Sequence, residues 1–112
     1  MIGKRPFKNQ DERVKYDDII YLINPEENTA SVIGIEGKHQ EIVIPRSINH
    51  KSKEYYVTSI LKNVFNRSEL KIVEFSKNSK LQTICKYAFY FSKIKSLRIP
   101  SSVISIEEYA FS

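Results

Sequence analysis

Few residues in this sequence combine the type and the spacing that a catalytic or metal site needs. The single cysteine, Cys85, lies between an isoleucine and a lysine, and a thiol nucleophile requires a neighbouring base. The two histidines, His39 and His50, lie in polar stretches that we expect to be loops, without a second ligand at zinc-site spacing. The sequence has no glycine-rich phosphate loop and no pair of carboxylates with a pocket signal. We therefore expect a non-enzymatic protein without metal or cofactor, in which Cys85 is a small, buried or half-buried thiol.

Asn66-Arg67-Ser68 has the sequence of an N-glycosylation acceptor. It follows a phenylalanine, in a turn that would be accessible in a secreted protein. The same pattern also arises by coincidence, and the sequence leaves both interpretations open.

Charge is distributed unevenly along the chain. Residues 1–17 contain five bases and three acids, residues 18–37 contain four acids and no base, and residues 38–112 contain thirteen bases and six acids, within a net charge of +5. The basic region favours acidic partners such as nucleic acid, sulfated glycans or anionic membrane surfaces. The alternative is that its lysines keep a protein rich in tyrosine and phenylalanine in solution.

The composition is that of one globular domain or part of one. A hydrophobic content of 41% in 112 residues is enough for a core, and one cysteine excludes an internal disulfide framework. The N-terminus lacks the apolar segment of a signal peptide, and no apolar run is long enough to span a membrane. We therefore expect no membrane insertion, and these features leave the localisation open.

A short pattern recurs three times and organises the chain. Each copy begins with an aliphatic residue, has isoleucine three positions later, and has phenylalanine five positions after that. Phe65, Phe89 and Phe111 are separated by 24 and 22 residues, a period typical of stacked-repeat architectures. The three copies are Val57–Phe65, Leu81–Phe89 and Val103–Phe111.

Short β-strands are predicted to position these copies. Asp18–Ile23 and Thr29–Ile35 flank a turn that contains Pro25, which predicts a hairpin. Glu41–Ile44 predicts a third strand, which Pro45 ends because proline cannot donate to a ladder. The chain is then divided into a flexible arm (1–17), a β-hairpin cap with the first strand (18–56, with a polar loop at 46–54), and about two and a half repeats (57–112).

Each repeat also contains a predicted strand, Leu70–Phe75 or Ile94–Ile99. Because side chains alternate between the two faces of a strand, we expect Phe75 and Ile99 in the core and their neighbours outside. Outer residues of adjacent strands then form columns that either bind a ligand or remain a solvated face. The candidate ligand-binding residues are one column of Glu41, Ile72 and Ser96, a second of Val43, Glu74 and Arg98, and two members of a basic cluster, Lys71 and Lys95.

The segment from Leu97 to Ile106, followed by Tyr109-Ala110-Phe111, resembles the BspA-like leucine-rich repeat. That repeat runs roughly L-x-x-I-x-I-P-x-S-V-x-x-I-x-x-x-A-F, and Pro100-Ser101-Ser102-Val103 and Ala110-Phe111 match it directly. Residues 76–81 depart from the pattern, because a longer join replaces the Pro-x-x-Val piece. The resemblance covers residues 18–112, and no catalytic motif comes with it.

The resemblance implies a mainly β protein, a right-handed leucine-rich-repeat solenoid of short parallel strands with an N-terminal β-hairpin cap, truncated at its C-terminal end. It implies a cell-surface or secreted location and a protein-interaction role. That role would be adhesion or binding to a host extracellular-matrix or cell-surface protein, as a surface antigen. Polyanion binding through the basic region is the alternative. We also expect self-association through residues 95–112, because no polar cap covers the apolar side chains of the last repeat.

Overall fold

The structure, a computed structural model, describes residues 11–66, 68–90 and 92–111. These residues are mainly β, as predicted, and none of them lies in a helix long and apolar enough to cross a membrane. Residues 1–10 of the expected flexible arm lie outside the described residues. The strands are β1 (Glu12–Tyr16), β2 (Ile19–Asn24), β3 (Thr29–Ile35), β4 (Glu41–Ile44), β5 (Ser47–His50), β6 (Lys53–Ile60), β7 (Ile72–Phe75), β8 (Thr83–Ile84), β9 (Ser96–Leu97) and β10 (Ser105–Ile106).

The N-terminal strands form an antiparallel meander in the order β1, β2, β3. The expected pairing of β2 with β3 is present, and alternate side chains of β2 are buried, including Tyr21. Asn24 fixes the turn between them, because its Oδ1 accepts hydrogen bonds from the backbone N–H groups of Glu26 and Glu27. That this meander serves as the cap of the repeats stays a prediction.

Strand β1 shows that residues 12–16 of the expected flexible arm belong to the sheet. Glu12 to Tyr16 pair with β2 along their whole length. Val14 is the only buried residue of this strand. The apolar signal by which a strand is predicted from sequence is therefore weak here. The backbone ladder to β2, the buried Val14, and Tyr16, which packs against the core and hydrogen-bonds with His50, hold the strand in place.

The polar loop expected at residues 46–54 is instead a hairpin of β5 and β6. Its two-residue turn, Lys51-Ser52, has φ angles of 52° and 65°. Two consecutive positive φ angles match a type I′ turn, which usually uses asparagine and glycine. Lys-Ser lacks that signature. Ile48 on one strand and Tyr55 on the other are buried in the core.

Two sheets share the repeat region. Strand β3 pairs with β6, β6 with β8, and β8 with β10, all in parallel. The second sheet contains β4, β7 and β9 in that order, also parallel. The predicted side-by-side order of these three strands is confirmed, whereas the handedness of the coil stays a prediction.

A stack of phenylalanine rings runs through the core at the corners of the repeats. Phe89 lies between Phe65 and Phe111, with ring centroids 5.1 Å apart on both sides and interplanar angles of 20° and 5°. Backbone bonds tie successive corners together, since Phe65 N–H donates to the carbonyl of Ala88 and Phe89 N–H to that of Ala110. Both alanines are buried, so a small residue is needed there to let the corners approach.

The predicted strand at Ile94–Ile99 is shorter in the structure, and this changes the orientation of its last residues. Strand β9 ends at Leu97, so the strict alternation of faces does not continue beyond it. Ile99 is 39% exposed, and the prediction that it points into the core is wrong. Its counterparts Ile44 and Phe75, in longer strands, are buried and half-buried respectively.

Candidate binding face

The outer face of the β4–β7–β9 sheet, which we call the outer face, carries the predicted ligand-binding columns. Glu41 lies beside Ile72, and Ile72 beside Ser96, as Cα partners in the two parallel ladders. Val43 lies beside Glu74 in the same way. The first column is therefore aligned as predicted, and the second is aligned as predicted from Val43 to Glu74.

Burial alternates along these strands as the register requires. Val43 is 54% exposed between the buried Ile42 and Ile44, and Glu74 is exposed beside the buried Val73. Arg98 is exposed as predicted, but it lies beyond the end of β9 and is not paired with Glu74. The face is therefore a narrow surface with an exposed aliphatic residue next to charged ones.

The basic cluster lies at the N-terminal ends of β7 and β9. The carbonyl of Lys71 accepts hydrogen bonds from the backbone N–H groups of Lys95 and Ser96, which places the two lysines on adjacent turns. Lys93 donates to Glu69 at 3.4 Å, in a pair whose side chains are more than half exposed. An exposed pair of this kind contributes little to stability, and ligand contacts by Lys71 and Lys95 stay a prediction.

Cys85 lies at the corner that follows β8 and is half-buried, as predicted. Burial raises the pKa of its thiol, and the nearby Glu107 carboxylate raises it further. The thiol is therefore protonated at neutral pH, which is opposite to the thiolate that a nucleophile or a metal ligand requires.

Both histidines make structural hydrogen bonds within the N-terminal region. His39 Nε2 is 3.1 Å from Asp18 Oδ2 and 3.0 Å from the carbonyl of Glu36. His50 Nδ1 is 2.6 Å from the hydroxyl of Tyr16. His39 lies in a loop as expected, whereas His50 is the last residue of β5, so its loop assignment is wrong. Among the described residues no group of three or more histidine, cysteine or acidic residues could hold a metal ion.

Asn66 of the glycosylation sequence lies in the turn that follows Phe65. Its Nδ2 donates a hydrogen bond to Asn63 Oδ1 at 3.1 Å, and its side chain is half-buried. The middle residue of the sequence, Arg67, lies outside the described residues. Glycosylation at Asn66 stays a prediction.

Two features of this region were not predicted from the sequence. One is a pair of stacked tyrosines, Tyr87 and Tyr109, with centroids 5.6 Å apart and an interplanar angle of 6°. The other is a cleft of about 700 Å³ between the ends of β7 and β9, whose walls include Glu74 and Arg98. The sequence signal for the cleft is its cluster of serines, but the cleft itself depends on where the two strands separate.

Comparisons with known proteins identify the repeats. Residues 41–112 match a family model described as the BspA type leucine rich repeat region (6 copies), whereas the resemblance was expected to begin at residue 18. A leucine rich cell surface protein from Faecalibacterium prausnitzii A2-165 has a crystal structure with a TM-score of 0.72 and 23% identity, covering 92% of this chain and 28% of that one. This similarity shows a shared fold.

A leucine-rich repeat protein from Bacteroides ovatus ATCC 8483 gives a TM-score of 0.48 and 21% identity, covering 88% of this chain and 38% of that one. The chain thus spans well under half the length of either protein. No curated protein matches the chain.

Proposed function

Because the chain belongs to the BspA-type leucine-rich repeat family, we propose that it is a non-enzymatic module that binds a protein ligand through the outer face. The observation that carries this proposal is the exposure of Val43, an aliphatic residue next to Glu74 on an otherwise regular parallel sheet. Repeat proteins bind through such extended surfaces, whose columns repeat from layer to layer. An apolar centre with charged neighbours is also the composition of many protein interfaces.

The ligand is a host extracellular-matrix or cell-surface protein, and the role is adhesion at the cell surface or after secretion. Support comes from the family resemblance and from the F. prausnitzii protein, which is described as a cell surface protein. Glu41, Val43, Ile72, Glu74, Ser96 and Arg98 supply the contacts, with Lys71 and Lys95 at the rim.

A binding screen tests this proposal. The purified chain is applied to a panel of immobilised extracellular-matrix proteins and to host-cell surface extracts, alongside a variant in which the outer-face charges are exchanged. We expect saturable binding to at least one protein and reduced binding by the variant. The proposal is removed if binding does not saturate, or if the variant binds every immobilised protein and extract as well as the wild type does.

Polyanion binding is the second candidate, and the favouring observation is the placement of Lys71 and Lys95 on adjacent turns. A polyanion that neutralises several cations must bind less tightly as salt rises. Heparin resin gives the test: retention well above the salt at which a neutral protein elutes supports the candidate, and co-elution with that protein excludes it.

A further inference from the structure

We propose that the cleft between the ends of β7 and β9 is a binding site for a neutral oligosaccharide. The inference deepens the proposed function, on which it rests, because the cleft opens within the outer face and the ligand would be the glycan of a surface glycoprotein.

The cleft forms because two neighbouring strands stop pairing at different points. Strand β7 pairs with β4 along all four of its residues but with β9 only as far as Val73 and Leu97. Beyond that point Glu74 and Phe75 line one wall, and Arg98 and Ile99 line the other. The volume of about 700 Å³ lies within the range of ligand sites.

The last backbone groups of β7 lie beyond the end of its ladder to β9. The N–H of Ser76 donates to Ile44 on the β4 side, whereas the carbonyl of Lys71 accepts from Ser96 on the β9 side. Successive residues of a strand direct their backbone groups to opposite edges, so those of Phe75 point toward β9. The ladder between β7 and β9 ends at Val73 and Leu97 and does not include Phe75.

The walls are fixed without using these groups. Ser79 Oγ accepts a hydrogen bond from the backbone N–H of Leu81 at 3.1 Å, and Ser102 Oγ donates to the carbonyl of the same residue at 2.6 Å. Leu81 is fully buried. Both loops that border the cleft are therefore tied to one core residue, and a preorganised site loses less entropy when its ligand binds.

The hydrogen-bonding groups fit an uncharged polyhydroxyl ligand. The walls present a carboxylate on Glu74, a guanidinium on Arg98 and the hydroxyl of Ser101, which together accept, donate, or do both.

Charge and shape argue against the other ligand classes. One acid and one base leave the cleft without the excess positive charge that a polyanion requires. Phe75 and Pro100 supply short apolar surfaces, which suit the C–H face of a sugar ring, but the many hydroxyls leave little room for the large apolar side chains that anchor peptides.

The test is isothermal titration calorimetry of the full chain. The titrants are neutral di- to hexasaccharides built from glucose, galactose, mannose and N-acetylglucosamine. We expect at least one sugar to bind, with an affinity that changes little with salt. Glu74→Gln and Arg98→Gln should each weaken it by about ten- to a hundredfold, as loss of a charge-assisted hydrogen bond predicts. Lys77→Gln, a neighbouring exposed residue outside the cleft, is the matched control and should bind as the wild type does.

Absence of binding by every sugar in the panel, or equal binding by the two cleft variants, would overturn the proposal. Selective binding of an unglycosylated peptide in the cleft would also overturn it while leaving the protein-binding function intact. Conversely, if the chain binds a sugar but shows no saturable binding to any protein in the screen, only the adhesion proposal is removed. Circular dichroism of each variant confirms that it is folded.

Discussion

Replacing Phe89 by alanine removes the central ring of the phenylalanine stack. The side chain is 1% exposed and has a stacked ring at 5.1 Å on both sides. Truncation of a buried phenylalanine costs roughly 3–5 kcal/mol through lost burial and the cavity left behind, and each lost ring pair belongs to a class worth about 0.5–1.5 kcal/mol. Because a small domain has only about 5–15 kcal/mol of stability, we expect Phe89→Ala to approach unfolding.

Phe111→Ala is the matched comparison, because the same ring in the last described repeat is 40% exposed and stacks on one neighbour only. It should cost about 60% as much as Phe89→Ala or less, since burial energy scales with the area removed from water and a partly exposed ring leaves no closed cavity. Urea denaturation followed by circular dichroism gives both free energies of unfolding. A Phe89→Ala midpoint close to the wild-type value, or equal costs for the two variants, would refute the stacked-core account. Phe89→Leu keeps most of the side-chain volume, so its free energy of unfolding separates the cost of losing the ring contacts from the cost of the cavity.

Three further predictions concern the corners, the thiol and the exposed end. Asn63 has a φ of 65°, and its Oδ1 accepts a hydrogen bond from Asn66 that both variants lose, so Asn63→Val should lower the free energy of unfolding by about 1–2 kcal/mol more than Asn63→Gly does; equal effects in urea denaturation would contradict this. Burial and then Glu107 raise the pKa of Cys85, so iodoacetamide should alkylate the folded chain more slowly at pH 8 than the unfolded chain. Because the folded pKa lies above the unfolded one, this contribution to stability is complete below the unfolded value of about 8.5 and is lost as pH rises above it. Cys85 alkylation at the same rate with and without urea argues against a half-buried thiol. Ile104 and Ile106 are 82% and 48% exposed, so the purified 112-residue chain should self-associate through residues 95–112 at tens of micromolar, and Ile104→Glu should shift sedimentation toward 13.1 kDa; a wild-type chain that already sediments as a monomer rejects this.

The repeats were predictable because their positions are encoded by a period. The spacing of Phe65, Phe89 and Phe111 identified the stack, and the match of Ile42-x-Ile44 with Val73-x-Phe75 predicted the register of β4 and β7. In both cases one face is buried, so a shift by one residue would expose the apolar set, and the sequence specifies the arrangement strongly.

Features that depend on backbone conformation were not predictable in this way. The hairpin of β5 and β6 turns through Lys51-Ser52, which gives no glycine or asparagine signal, and β1 has only one buried residue, Val14. The cleft arises because β9 ends at Leu97, two residues before the apolar pattern does. Strand length is set by the path of the loop that follows, which no local pattern in Arg98 or Ile99 reveals.

The central claim, that the outer face binds a protein ligand, is tested most directly by the dissociation constants of two matched variants. Val43→Glu and Ile104→Glu each place a carboxylate on an exposed aliphatic position, the first on the outer face and the second away from it. With the ligand found in the binding screen, and at a concentration where both variants are monomeric, Val43→Glu should weaken binding at least about thirtyfold, the effect of losing roughly 2 kcal/mol at an interface hot spot. Ile104→Glu should bind as tightly as the wild type. A wild-type dissociation constant for Val43→Glu would contradict the account.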